Sequence, residues 1–130
     1  MDETRSGVVK HEGDVERLEV AAGTATVRQV LIGPDDEAHN FFLRRFTMGE
    51  GGAMPLHTNR VEHEQYVLSG TGRVRIGDRV HEVRAGNALF IPAGVPHSYE
   101  VIEPPFDFLC IVPAKPDAIA LIEPAEPTRG

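Results

Sequence analysis

From Glu16 onward, short apolar stretches alternate with turn residues, at a spacing that suits strands rather than helices. Thr24-Ala25-Thr26-Val27-Arg28-Gln29-Val30-Leu31-Ile32 reads as a strand that stops at the turn Gly33-Pro34-Asp35-Asp36. Phe41 to Phe46 resumes the pattern, and Gly49, Gly51 and Gly52 punctuate it. Tyr66-Val67-Leu68 ends at Gly70-Thr71-Gly72. Arg73-Val74-Arg75-Ile76 alternates charged and apolar residues, so that strand has one wet face. Gly77-Asp78 is a hairpin turn, and Arg79 to Val83 returns from it. Ala85-Gly86-Asn87 turns again. Ala88 to Ile91 is a short buried strand stopped by Pro92, and His97–Val101 and Phe106–Val112 complete the set. Roughly eight to ten short strands are expected, in an all-β sandwich or barrel. Phe41, Phe46, Phe90, Phe106 and Phe108 are expected to line it.

The pattern divides the chain into a flexible N-terminal arm (1–15), a barrel (16–113) and a Pro-rich C-terminal tail (114–130). Within the tail, Asp117-Ala118-Ile119-Ala120-Leu121-Ile122 is expected to form one or two helical turns.

Composition narrows the function. The chain has 130 residues, 41% of them hydrophobic, enough for one domain with a core that needs no disulfide. Its net charge of -7, with no Lys/Arg cluster beyond Arg44-Arg45 and the scattered Arg73, Arg75 and Arg79, argues against nucleic acid or an anionic membrane as partner. The start, Met1-Asp2-Glu3-Thr4-Arg5, has no apolar signal region, and no run reaches the length of a membrane span. A soluble cytoplasmic protein that handles a small molecule is expected. The single cysteine, Cys110, lies in the apolar run Phe106–Val112 and reads as a buried small hydrophobe rather than a nucleophile.

The chemistry concentrates in three histidines, each framed by glycines or prolines. The first frame is Gly51-x5-His57-x-Asn59-x3-His63-x6-Gly70, and the second is Gly86-x5-Pro92-x-Gly94-x2-His97. Residues two apart in a strand share a face, so His57 and Asn59 point together. His63, Gln65 and Val67 share one face of the next strand, while Glu62, Glu64, Tyr66 and Leu68 share the other. Three imidazoles converging in an apolar barrel would make a metal site with open positions. His11, His39 and His81 lack such frames and read as ordinary exposed or satisfied histidines.

Both frames resemble motifs of the cupin superfamily of small antiparallel barrels, also described as jelly rolls or double-stranded β-helices. The family's first motif is Gly-x5-His-x-His-x3-4-Glu-x6-Gly, and its second is Gly-x5-Pro-x-Gly-x2-His-x3-Asn. The second is matched from Gly86 through His97 and departs at Val101, which stands where the family has Asn. In the first, Asn59 replaces the second histidine. The glutamate position falls on His63 when counted back from Gly70, or on Glu64 at the longer spacing from Asn59. The Gly70 register favours His63, and Glu62-His63-Glu64 resembles a cupin subgroup with an all-histidine site.

That resemblance implies a small single-domain cupin with His57, His63 and His97 as metal ligands and Asn59 in the slot of a fourth. The ion would be a divalent transition metal: Fe, Mn, Ni, Cu or Zn. With Fe(II) it implies a dioxygenase-like oxidoreductase acting on a small anionic or chelating substrate. Other ions would suit isomerisation or decarboxylation, and a non-catalytic small-molecule binder is the competing class. Tyr99 and Glu64 are the nearest candidates for a proton-transfer group, each with a plainer reading as core aromatic and solvated carboxylate. A homodimer is expected, since small cupins often pair through edge strands and pairing removes exposed edges.

Overall fold

The computed structural model of the chain describes residues 7–122. Eight strands run in the order β1 (Leu18–Glu19), β2 (Thr24–Ile32), β3 (Phe41–Asn59), β4 (His63–Ile76), β5 (Arg79–Arg84), β6 (Ala88–Ile91), β7 (His97–Pro113) and β8 (Ile119–Leu121). Every pairing is antiparallel: β1-β2-β3-β7-β4-β5 in sequence, with β6 on β4 and β8 on β3. Among the described residues no helix is long and apolar enough to cross a membrane.

The eight strands fall within the expected eight to ten, but three of them are longer than the turn residues predict. β3, β4 and β7 each run through both halves of the barrel. The glycines at 49–52 and 70–72 bend these strands without ending them. The β3–β7 register shifts between Met48 and Ala53, and the β4–β7 register shifts between Val67 and Gly72. Such bulges add twist and turn a strand across a corner, as a closed barrel needs.

Alternation then fills the interior. Met48, Met54, Val67, Val74, Leu89, Ile91, Tyr99, Phe106, Phe108, Cys110 and Val112 form the buried cluster, with Phe46 packed against it. Cys110 is fully buried, as its apolar run predicts. Two of the expected lining phenylalanines point the other way. Phe41 and Phe90 are 66% and 55% exposed. In β6 the inward positions belong to Leu89 and Ile91, so Phe90 faces outward by parity.

The tail also differs from expectation. Ile119–Leu121 forms no helical turn. It pairs with His57–Asn59 of β3 as β8, and Ile122 N–H donates to Leu56 O. An open strand edge offered its backbone groups, and that pairing overrides weak local helix preference. Of the arm, residues 12–14 form a 3-10 turn held to β2, where the Gln29 side chain donates to Glu12 O and Val15 O. Residues 1–6 and 123–130 lie outside the described part of the chain.

Candidate metal centre

The β3–β7 ladder places His57 directly opposite His97. Their rings lie 4.1 Å apart, and His63 stands 5.7 Å from His97. His57, His63 and His97 are 3%, 6% and 1% exposed. With Asn59 they line one cavity of about 300 Å³, walled also by Arg28, Arg44, Phe46, Met48, Met54 and Phe108. His11, His39 and His81 are exposed and stand apart from it.

The backbone sets the tautomers. His57 Nδ1 lies 2.7 Å from Pro55 O, and His97 Nδ1 lies 2.9 Å from Val95 O. A carbonyl can only accept, so both Nδ1 atoms carry the proton and both Nε2 atoms present a lone pair. The prolines that frame His57 and His97 hold these loops in place: Val95 N–H donates to Pro92 O, and Gly94 N–H donates to Asn59 O, joining one motif to the other. His63 Nδ1 meets Cys110 Sγ at 3.5 Å.

On residues lining this cavity, His63 Nε2, His97 Nε2 and Asn59 Oδ1 are buried without a partner, as are the Nε atoms of Arg28 and Arg44. Asn59 is oriented by its other amide atom, since Nδ2 donates to Asp117 Oδ2 at 2.9 Å. Buried acceptors left unpaired are costly and uncommon. Imidazole nitrogens and an amide oxygen are suitable donors for a divalent ion, so these residues fit one. Among the described residues, no three or more His, Cys, Asp or Glu side chains are placed closely enough together to hold a metal ion as they stand.

Electrostatics keep the imidazoles neutral, the form a metal requires. Burial pushes His63 down to about 3, aided by the charges of Arg44 and His97. Burial takes His97 down to about 4, against the pull of the Val95 carbonyl. His57 is lowered by burial too, with the Pro55 carbonyl opposing. An unfolded imidazole protonates near pH 6.5, so below that pH the unfolded chain binds protons that the folded chain refuses. Stability from these groups is therefore complete above about pH 6.5 and is lost as pH falls through about 4 for His97 and about 3 for His63. Glu64 acts with the opposite sign, because its hydrogen bond with Glu62, its burial and their repulsion raise it to about 7. The melting temperature of a metal-free Glu64→Gln chain should drop between pH 6.5 and 5, and drop less when His63→Gln is added. A flat profile would mean the imidazoles are solvated and free to protonate.

The two proton-transfer candidates occupy different places. Tyr99 lines the cavity, and its hydroxyl and the Gln65 amide exchange hydrogen bonds of 2.8 and 3.1 Å. Burial pushes its phenol upward, so it stays neutral and serves as a donor. Glu64 sits on the outer side of β4, opposite Phe90 and Ile111, and does not line the cavity.

Asp117 and Arg28 reach the site without any signal in the motifs. Asp117 stands at the cavity mouth and accepts from Asn59, Arg60 N–H and Ala118 N–H. Burial works to raise its carboxyl, but those hydrogen bonds and the nearby His63 outweigh it and hold the group ionised.

The chain belongs to the cupin family: the Cupin domain model matches residues 44–112, more than half of its length. The polyketide cyclase RemF from Streptomyces resistomycificus is similar over 92% of this chain and 87% of its own, at 31% identity and a TM-score of 0.82. A cupin-2 domain protein from Rhodospirillum rubrum is similar at 27% identity and a TM-score of 0.75, over 92% of this chain and 82% of its own. Among curated proteins, mannose-1-phosphate guanylyltransferase 2 of Escherichia coli O157:H7 is 42% identical over 52 residues, 40% of this chain. The matched stretch is only 11% of that enzyme's length.

Proposed function

We propose that this cupin binds a divalent transition metal through His57, His63 and His97, with Asn59 beside them, and acts on a small anionic substrate that chelates the ion. The observation that carries this reading is the set of partnerless buried acceptors, His63 Nε2, His97 Nε2 and Asn59 Oδ1, on one cavity. A bound ion would supply Lewis-acid polarisation of a substrate oxygen or, as Fe(II), the oxygen chemistry that the cupin resemblance implies. Similarity to a polyketide cyclase over most of the chain favours the Lewis-acid form, since a polyketide is rich in carbonyl groups.

The remaining roles belong to the protein's own side chains. Phe46, Met48, Met54 and Phe108 keep the cavity walls apolar, which strengthens every electrostatic contact inside. The Pro55 and Val95 carbonyls hold two imidazoles in the tautomer that binds. Tyr99, kept neutral and tied to Gln65, holds a proton at the cavity wall.

Asn59→His tests the reading. It would exchange a neutral amide oxygen for an imidazole and should tighten Zn(II) or Ni(II) binding about tenfold or more. Competition with a chromogenic chelator would measure it. Unchanged affinity would place residue 59 outside the coordination sphere. Failure of the native chain to take up any of the five ions would leave a metal-free binding barrel. Oxygen uptake by the iron-loaded chain with a chelating acid would restore the dioxygenase form.

A further inference from the structure

We propose that Arg28 and Arg44 form the anion-binding pole of the cavity, and that the ligand is a small aromatic acid whose carboxylate they grip. The inference rests on the reading of this cavity as the substrate site, and it names the class of molecule that enters.

Sheet register brings the two guanidiniums together. In the β2–β3 ladder Arg28 lies opposite Phe46 and Val30 lies opposite Arg44. Arg28 and Arg44 are therefore diagonal neighbours on one inner face, within reach of each other for long side chains. Both line the cavity that holds the histidines. Like charges so placed repel, and the lowered pKa of Arg28, from burial and then from Arg44, reports that crowding.

Neither arginine has a carboxylate partner among the described residues. Arg28 Nε and Arg44 Nε are buried with no acceptor. Arg45, the next residue along, also has a buried Nε without an acceptor, but its terminal nitrogens pair with Glu12 and with Asp107, the latter at 3.1 Å. The one carboxylate on the cavity, Asp117, is committed to Asn59 and two backbone N–H groups. A chain of net charge -7 thus keeps two unneutralised guanidiniums on its inner wall. Half-buried cations without counter-ions are costly, and an anion in the cavity would relieve both the desolvation and the mutual repulsion.

The surroundings favour a carboxylate on a flat apolar body. Arg44 is pre-positioned, with Nη2 donating to Cys110 Sγ at 3.2 Å and its guanidinium carbon 5.2 Å from the centre of the Phe46 ring. Guanidinium forks match planar carboxylates with two parallel hydrogen bonds. Phe46 and Phe108 stack at 5.3 Å beside them and offer a surface for a ring. Thr26 is the only hydroxyl other than that of Tyr99 among the lining residues, and it already donates to Thr24 O. A cavity of about 300 Å³ takes a single-ring acid.

Titration calorimetry with benzoate on the full chain, as purified and after chelator treatment, tests this, with benzamide and inorganic phosphate as the comparison probes. Benzoate should bind in both preparations, and benzamide at least about tenfold more weakly. Arg28→Gln and Arg44→Gln should each weaken benzoate about tenfold or more, with circular dichroism confirming the fold, while Arg79→Gln, on an exposed strand, should not. Arg28→Lys should restore part of the loss. Benzoate that binds equally well to both Gln variants but needs the metal would overturn the arginine pole and leave the metal site standing. Phosphate binding tighter than benzoate, or no benzoate binding by a chain with full metal content, would overturn the aromatic-acid class.

Discussion

Gly70→Ala is expected to cost more than about 3 kcal/mol and to lower the melting temperature by about 10 °C or more. Two effects add at this position. Gly70 sits at φ +78°, a backbone region that residues with a Cβ rarely adopt. A Cβ there would also lie 2.1 Å from Pro105 O and 2.6 Å from Glu103 O. Those are backbone atoms of β7 held by the β4–β7 ladder, so no side chain can swing aside to make room. Gly86→Ala is the comparison that separates the two effects. Gly86 has φ +95°, but nothing lies within 4 Å of its would-be Cβ, so only conformational strain of about 1–2 kcal/mol applies. Thermal melts of both variants decide the matter. Equal melting temperatures would show that β7 gives way at Pro105, and that the first motif's last glycine is needed only for its dihedral.

His97→Ala should reduce metal affinity by more than about 100-fold, a larger loss than outer-shell changes give. His97 is 1% exposed, has Nε2 buried without a partner, and stands 4.1 Å from the ring of His57 and 5.7 Å from that of His63. His81→Ala is the matched control, since His81 sits exposed on the β4–β5 hairpin, opposite Val74. Elemental analysis of the two purified variants beside the native chain gives the readout. A far-ultraviolet spectrum of His97→Ala checks that the barrel persists. Similar metal content in the two variants would remove His97 from the ligand set and with it the metal reading of the second motif.

The sequence shows some features of this molecule and hides others, for physical reasons. Strand character and the shared face of His63, Gln65 and Val67 follow from alternation alone, because a pleated strand has a period of two residues. The grouping of His57, His63 and His97 is legible through their glycine and proline frames, which fix local backbone shape. Strand length is not, because a glycine that bulges a strand looks like a glycine that ends one. Phe41 and Phe90 were expected inside on hydrophobicity, but parity turned them out. Asp117 was invisible as a site residue, since only the pairing of β8 with β3 brings it to Asn59. Arg28 was equally hidden, because its place on the cavity depends on the register of β2 against β3.

The crossing of β3 and β7 has a consequence for how the site comes into being. His57 faces His97 only across that ladder, and β4, β5 and β6 all lie between the two strands in the chain. Closing so long a loop costs entropy before any contact repays it. No short peptide cut from this chain can therefore carry the ligand set, and a contiguous piece that includes Arg28 and Asp117 already contains nearly the whole barrel. An ion bound there would meet a finished cavity rather than act as a template around which a loop collapses, the opposite of a zinc finger. Metal uptake would then gauge complete closure, since a partly folded barrel holds its histidines on separate strands and has no centre to offer.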